Sequence, residues 1–353
     1  MKAAMYYGFH DLRVMEIPEP SVKAGHVKVK VVWAGICGTD RHEYNGPVWI
    51  PMGKPHRITG RQAPLVLGHE FSGVVVEVGE GVQDWKPGDR ITASGNIVCG
   101  ECRWCREGRV NLCENLAFNG IGTDGAFAEY IVVPEYQLFK VPESVSLERA
   151  LLTEPLACGF HATRLIGDLK GKSVAIIGPG IIGLSCLFAA KAAGAGKVMV
   201  IGVGRANEAR VLAMGADVYV DSSAADPVEF GRKFLEAPGF DVVYECVGLE
   251  RTIDTAVRLT RKAGTIMVMG VFEKPPAYPI NLFQEGERIL LSSQAYAFEL
   301  GDVLQLMDRE NFAAEQLITA RIPLERIAED GFEELLRNPN KHIKIAIQIA
   351  DGE

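Results

Sequence analysis

No uninterrupted apolar run in this chain approaches the roughly 18 residues a membrane-spanning helix needs, although 48% of its 353 residues are hydrophobic. Positive charge is also short. The 37 Lys and Arg against 45 Asp and Glu leave a net charge of −8, which argues against nucleic acid and membrane surfaces as partners. The chain has no internal repeat, low-complexity tract or long linker, so neither a solenoid nor a disordered scaffold is expected. The opening MKAAMYYGFHDLRV lacks the apolar segment of a secretory leader. Together with the scattered Cys37, Cys158, Cys186 and Cys246, this suits a reducing compartment, and the expected location is cytoplasmic. The length allows two ordinary domain cores.

Cysteine is scarce, at eight residues, yet four of them (Cys99, Cys102, Cys105, Cys113) fall within CGECRWCREGRVNLC. The Cys-x2-Cys-x2-Cys-x7-Cys spacing suits one tetrahedral metal ion, and an all-thiolate set predicts a structural zinc. A disulfide framework belongs to short secreted chains, and a redox pair at Cys102 and Cys105 would adjoin a βαβ unit rather than sit in a Gly/Arg/Glu-rich loop. A nucleic-acid zinc ribbon is disfavoured because Arg103, Arg106 and Arg109 are interleaved with Glu101, Glu107 and Glu114.

Up to about residue 150 the chain reads as short β runs broken by Gly and Pro (VKVKVVWAG, FSGVVVEVG, DRITAS, FAEYIVV), predicting an antiparallel β-rich domain. Afterwards buried apolar runs alternate with amphipathic helical stretches, predicting α/β architecture with a doubly wound parallel sheet of about six strands. Helices over 300–308 and 324–337 and a strand over 344–349 are expected to return to the first domain. The expected division is therefore residues 1–153 with 298–353, and 154–297.

Gly178-Pro179-Gly180-Ile181-Ile182-Gly183 follows the run 173–177 and opens an apolar helix. In that context the glycines predict a dinucleotide site: the first makes the turn, the second admits the pyrophosphate, and the third lets helix and strand pack. An NAD enzyme ordinarily ends the next strand, about 20 residues on, with an acid for the ribose 2′-OH. Here Gly202-Val203-Gly204-Arg205 follows instead. Gly202 leaves room for a 2′-phosphate and Arg205 offers it a partner; the other reading is a solvated Arg205 with NAD bound. NAD and NADP both stay open. Val247 is a further cofactor-side candidate.

GICGTDRHEY with Cys37, LGHE with His69 and Glu70, and TEPL with Glu154 supply sulfur, nitrogen and oxygen donors, the composition of a catalytic zinc with an open position. On these segments, with LGHEFSGVVVEVG, the four-cysteine lobe, GAFAEY, TEPLACG and GPGIIG, the whole chain resembles the zinc-dependent medium-chain alcohol and polyol dehydrogenases. HEYNGPVWIP, HRITG and NLCENLAFNGIGTDGAFAEY are most similar to the (R,R)-2,3-butanediol dehydrogenases, with sorbitol dehydrogenases next.

The resemblance implies a GroES-like catalytic domain plus a Rossmann domain, two Zn²⁺ per chain, and a homodimer or homotetramer. It makes Cys37, His69 and Glu70 catalytic zinc ligands and Glu154 a ligand either directly or through water. Thr39 and His42 become a proton relay, roles that hydroxyl and imidazole chemistry can fill. Read as core or surface residues, His42 would be an interface histidine and Glu154 a helix-capping carboxylate. His10, His26, His56, His161 and His342 have no partner pattern. Tyr44, Trp49, Phe118 and Tyr296 are candidate pocket walls. Sorbitol enzymes have an arginine where this chain has Ala295, which disfavours long polyols. The expected reaction is hydride transfer between a short vicinal diol, such as 2,3-butanediol, and NAD or NADP. The alternatives are an L-threonine 3-dehydrogenase, a sorbitol- or xylitol-type enzyme, and a non-catalytic nucleotide-binding relative.

Overall fold

A computed structural model describes residues 1–309 and 314–350. The chain divides into two compact units, Met1–Glu154 with Leu300–Glu353, and Pro155–Glu299.

The first unit is organised around the strand His26–Gly35, which pairs antiparallel with Glu70–Val78, Tyr130–Pro134 and Lys344–Gln348. Alternation in VKVKV sends Val27, Val29 and Val31 into the core at zero exposure, as the two-residue period of a strand requires. Register then fixes the chemistry at the strand's end. Gly35 stands opposite Glu70 on one side and Ala346 on the other, and a Cβ on it would come 2.3 Å from the Glu70 carboxylate. Only glycine leaves space for that side chain.

The sheet is not wholly antiparallel, because Ile318–Pro323 pairs parallel with Lys344–Gln348. The stretch expected as one helix over 324–337 is a 3₁₀ turn at Leu324–Arg326, a π-helical segment at Ile327–Glu333 and an α turn at Glu334–Arg337. No helix among the described residues is long and apolar enough to cross a membrane.

The second unit holds a six-stranded sheet, all of whose pairings are parallel. With its strands numbered along the chain, the order is 3-2-1-4-5-6. Its first two strands, Val174–Ile177 and Val198–Gly202, are buried at every residue, as expected of strands covered on both faces. The order reverses beside Val174–Ile177, and the carboxyl end of that strand is where this architecture forms a ligand crevice.

Candidate metal and nucleotide sites

The short helix Gly38–Tyr44 begins immediately after Cys37 and carries Thr39 and His42 one turn apart, so both share a face. Its start is fixed by Asp40, whose carboxylate accepts the Cys37 backbone N–H at 2.9 Å. The Thr39 hydroxyl lies 3.7 Å from Cys37 Sγ. Asp40 and His69 are both buried, and Asp40 Oδ1 faces His69 Nδ1 at 3.7 Å, each without a hydrogen-bond partner. Burial opposes a charge on His69, but the negative charge of Asp40, the charge and hydrogen bond of Cys37, and the charge of Glu154 outweigh it and raise its pKa well above the ordinary value. Burial raises the pKa of Asp40. Cys37, Asp40 and Glu154 thus surround the His69 imidazole with groups that can carry negative charge.

Glu70 is turned elsewhere. Both of its carboxylate oxygens accept from Lys344 Nζ, at 2.6 and 2.5 Å, and the same ammonium donates to the Ile36 carbonyl at 2.9 Å. The resemblance makes Glu70 a ligand; the fold instead gives it a fully buried cation, because Lys344 starts the strand beside Gly35. Glu154, 5% exposed, lies in the first turn of the helix Thr153–Ile166, and its charge acts on both His69 and Lys344.

In the cysteine lobe, the ligand atoms of Cys99, Cys102, Cys105 and Cys113 all lie within 4.8 Å of one another, the one such group of three or more potential ligands among the described residues. Sulfur–sulfur separations of 3.9, 3.5 and 3.5 Å compare with roughly 3.8 Å for a tetrahedron with zinc–sulfur bonds of about 2.3 Å. Backbone N–H groups, those of Glu101 and Cys102 foremost, bring the Cys99 thiol down to about 6. Cys105 is pushed up to about 12 by burial and by hydrogen bonds to its neighbouring cysteines. A cation held by the four sulfurs would remove that conflict. The arginines of the lobe have local partners: Arg103 and Arg109 lie over the Trp104 ring, and Arg103 also bonds Glu107.

In the nucleotide turn each glycine meets a different constraint. Gly178 has φ +100 and no room for a Cβ beside Val247. Gly183 is excluded from bearing one by the Gly178 carbonyl, 1.8 Å away, whereas Gly180 faces open space. Gly180 is also the N-cap of the helix Ile181–Ala192 and has no side-chain cap, leaving the amides of Ile181 and Ile182 at a helix start suited to an anion. The dinucleotide therefore fits the residues present.

The strand end at Gly202 is more crowded than its sequence suggests. A Cβ there would come 2.1 Å from the Tyr219 hydroxyl and 2.9 Å from Pro179. Arg205 is not free to await an anion, since it makes a two-pronged pair with Glu208 at 2.7 and 2.5 Å. The adjacent strand places Asp221 in register with Gly202, and Asp221 accepts the Gly204 N–H at 2.8 Å. Hydrogen bonds from Ser223 lower its pKa. An acid absent from one strand end is thus present on its neighbour.

Of the expected pocket walls, Trp49 and Phe118 stand beside the histidines, with ring centroids 6.4 Å from His42 and 6.2 Å from His69. Tyr44 and Tyr296 do not serve as walls. Tyr44 is buried, stacks on His10 and donates to Glu333, and Tyr296 has zero exposure; aromatic residues beside a motif were turned into the core. Sequence reasoning missed Asp40, Glu43 and Lys344. Asp40 and Glu43 lie inside a recognised motif, and their burial was the missing signal. Lys344 had no local signal, because its partner is 274 residues away.

Comparison with known proteins places these sites in context. Residues 23–143 match the alcohol dehydrogenase GroES-like domain family and residues 182–309 the zinc-binding dehydrogenase family. The (R,R)-butanediol dehydrogenase of Bacillus subtilis is 36% identical over 99% of both chains, and its crystal structure superposes with a TM-score of 0.93 over 99% of each. The NADP-bound crystal structure of a protein from Sinorhizobium meliloti 1021, of the zinc-binding dehydrogenase type, is 35% identical, with a TM-score of 0.88 and 99% coverage of both chains. The L-threonine 3-dehydrogenase of Symbiobacterium thermophilum is 38% identical over 74% of this chain and 72% of its own.

Proposed function

This chain belongs to the zinc-binding dehydrogenase family, an oxidoreductase acting on CH–OH groups, and from that premise we propose that it oxidises a short vicinal diol, with 2,3-butanediol as the best candidate. The observation that carries the reading is the buried Asp40–His69 pair, whose facing Oδ1 and Nδ1 atoms have no hydrogen-bond partner, beside Cys37 and Glu154. A carboxylate facing one ring nitrogen orients the imidazole and leaves the other nitrogen for a metal. In this reading Cys37, His69 and Glu154 hold a zinc, while Lys344 keeps Glu70 behind it. The Cys99, Cys102, Cys105 and Cys113 lobe holds a second, structural ion.

A zinc held by Cys37, His69 and Glu154 would supply Lewis acidity, making an alcohol hydroxyl easier to deprotonate near neutral pH. The Thr39 hydroxyl accepts the substrate proton as it gives up its own toward His42, one turn on, which passes a proton to solvent. Trp49 and Phe118 give the substrate apolar walls, a surface suited to methyl groups rather than to a long row of hydroxyls. Gly178, Gly180, Ile181, Ile182 and Gly183 seat the pyrophosphate, Val247 packs against the turn, and Gly202, Arg205 and Asp221 border the adenosine ribose.

The protein works in the cytoplasm as a homodimer or homotetramer. The eight cysteines form no disulfide, as a reducing compartment would leave them. The edge strand Ile289–Ser292 leaves Ile289 and Leu290 exposed, the kind of edge that oligomers cover.

Reduction of NAD and NADP should be followed with 2,3-butanediol stereoisomers, L-threonine and sorbitol as substrates. The reading expects a butanediol isomer to give the highest kcat/KM. Preference for L-threonine would move the assignment to the L-threonine 3-dehydrogenase type, and turnover of none of them would support a non-catalytic role.

A further inference from the structure

Glu43 has zero exposure, and no cation stands within ion-pair distance of it among the described residues. Its charge is met by backbone alone. Oε1 accepts the N–H groups of Trp49 at 2.7 Å and Val48 at 3.1 Å; Oε2 accepts those of Ile50 at 3.1 Å and Val48 at 3.2 Å. Three consecutive amides thus converge on one carboxylate, an anion nest closed by the protein's own side chain. The other end of the residue is held as well. The Glu43 carbonyl accepts the Tyr6 hydroxyl at 2.5 Å and the Gly46 N–H at 3.2 Å.

This nest decides where Trp49 goes. A buried carboxylate without a cation is tolerated only if its hydrogen bonds are satisfied, so residues 48–50 are drawn to Glu43 and Ile50 is buried beneath them at 4% exposure. Val48 and Trp49 then face outward, at 63% and 47% exposure, with the Trp49 ring edge-on to His42 at 6.4 Å. His42 and Glu43 are neighbours on the helix Gly38–Tyr44. One rigid element therefore holds both the relay residue and the anchor of the apolar wall.

We infer that Glu43 is a positioning residue for substrate selection: through the 48–50 amides it fixes the Trp49 wall relative to His42, and it touches neither substrate nor metal. The inference rests on the proposed short-diol reading for its substrate but not for its loop mechanics. Glu43→Gln keeps one acceptor oxygen and turns an NH₂ toward N–H donors that the second oxygen now satisfies. Glu43→Asp keeps the charge on a shorter arm, and Val48→Pro removes a donor from the loop without altering the helix.

Two readouts separate the parts. The first is tryptic cleavage after the exposed Arg57 and Arg61, together with Trp49 emission obtained by subtracting the spectrum of Trp49→Phe; neither requires turnover. Both should change in Glu43→Gln and in Val48→Pro, with Glu43→Asp lying nearer wild type and the zinc content the same throughout. The second is steady-state kinetics on 2,3-butanediol, where Glu43→Gln should raise KM by about tenfold with kcat held within about threefold, the pattern of lost ground-state positioning. Unchanged cleavage and emission in Glu43→Gln and Val48→Pro would overturn the inference, as would a fall in kcat at constant KM, which would make Glu43 a support for His42 instead. If wild type turns over no diol while the loop readouts change as stated, the anchoring stands and the substrate reading is what fails.

Discussion

Lys344 and Glu70 form a buried ion pair, with side-chain exposures of 1% and 0%, at the point where the C-terminal strand returns beside Gly35. The pair ties the last strand of the chain to the histidine-bearing segment that precedes Glu70. Removing one partner of such a pair strands a charge in a dry interior. Lys344→Met should therefore cost about 3–5 kcal/mol, while Lys344→Met with Glu70→Gln should recover most of that loss; denaturant unfolding of the two variants decides. Burial pulls the Lys344 pKa down, but the Glu70, Cys37 and Glu154 charges outweigh it and the value rises above its ordinary 10.5. A raised folded-state value contributes stability in full below the unfolded pKa and loses it as pH climbs through the folded one. The contribution of Lys344 to the thermal midpoint should accordingly stay flat across neutral pH and fall in strong alkali.

Cys113→Ser should lower the metal content by one ion per chain and expose the lobe to trypsin at Arg103, Arg106 and Arg109. The lobe has little apolar content of its own, so the ion supplies its folding energy. Metal analysis paired with limited proteolysis checks this, and retention of both ions would show that the cluster is not a ligand set.

His42→Ala should slow turnover more at low pH than at high pH, since a relay matters least when solvent base is abundant. Thr39→Ala should be the harsher change, because it removes the first group to receive the proton. A pH-independent loss in His42→Ala would make that histidine structural.

Glu208→Gln should improve NADP binding several-fold relative to NAD, because it releases Arg205 from its two-pronged pair and removes a negative charge near the ribose. Arg205→Ala should weaken NADP selectively. Titration of each variant with NADPH and NADH, followed by fluorescence, gives the ratio directly. Simple introduction of an acid at Gly202 is a poorer test, because even Gly202→Ala meets the Tyr219 hydroxyl and should cost about 1–3 kcal/mol through overpacking.

The parts of the site that were legible in sequence are those whose function is local. Gly178, Gly180 and Gly183 act through the backbone of a single strand–turn–helix, and Cys99 to Cys113 act through one loop, so spacing alone carries their chemistry. Lys344 was invisible because its role depends on strand register across most of the chain. Glu43 was passed over because it reads as a polar helix residue until its burial is known. Tyr44 misled for the opposite reason: its position beside His42 suggested the pocket, but its side chain packs against His10 and Phe332. Arg205 was half legible, since the sequence shows a cation near the ribose but not that Glu208 already engages it.

In the proposed reading, this chain oxidises a short secondary diol with a metal held by Cys37, His69 and Glu154. The most direct test measures nicotinamide reduction by 2,3-butanediol before chelation, after chelation and after zinc is returned, in wild type and in Glu154→Ala, with metal counted at each stage. Wild-type turnover should disappear with one ion per chain and return with it, and the Glu154→Ala variant should remain folded but neither hold that ion tightly nor recover. Diol turnover that persists in chelated protein carrying no metal would contradict that reading.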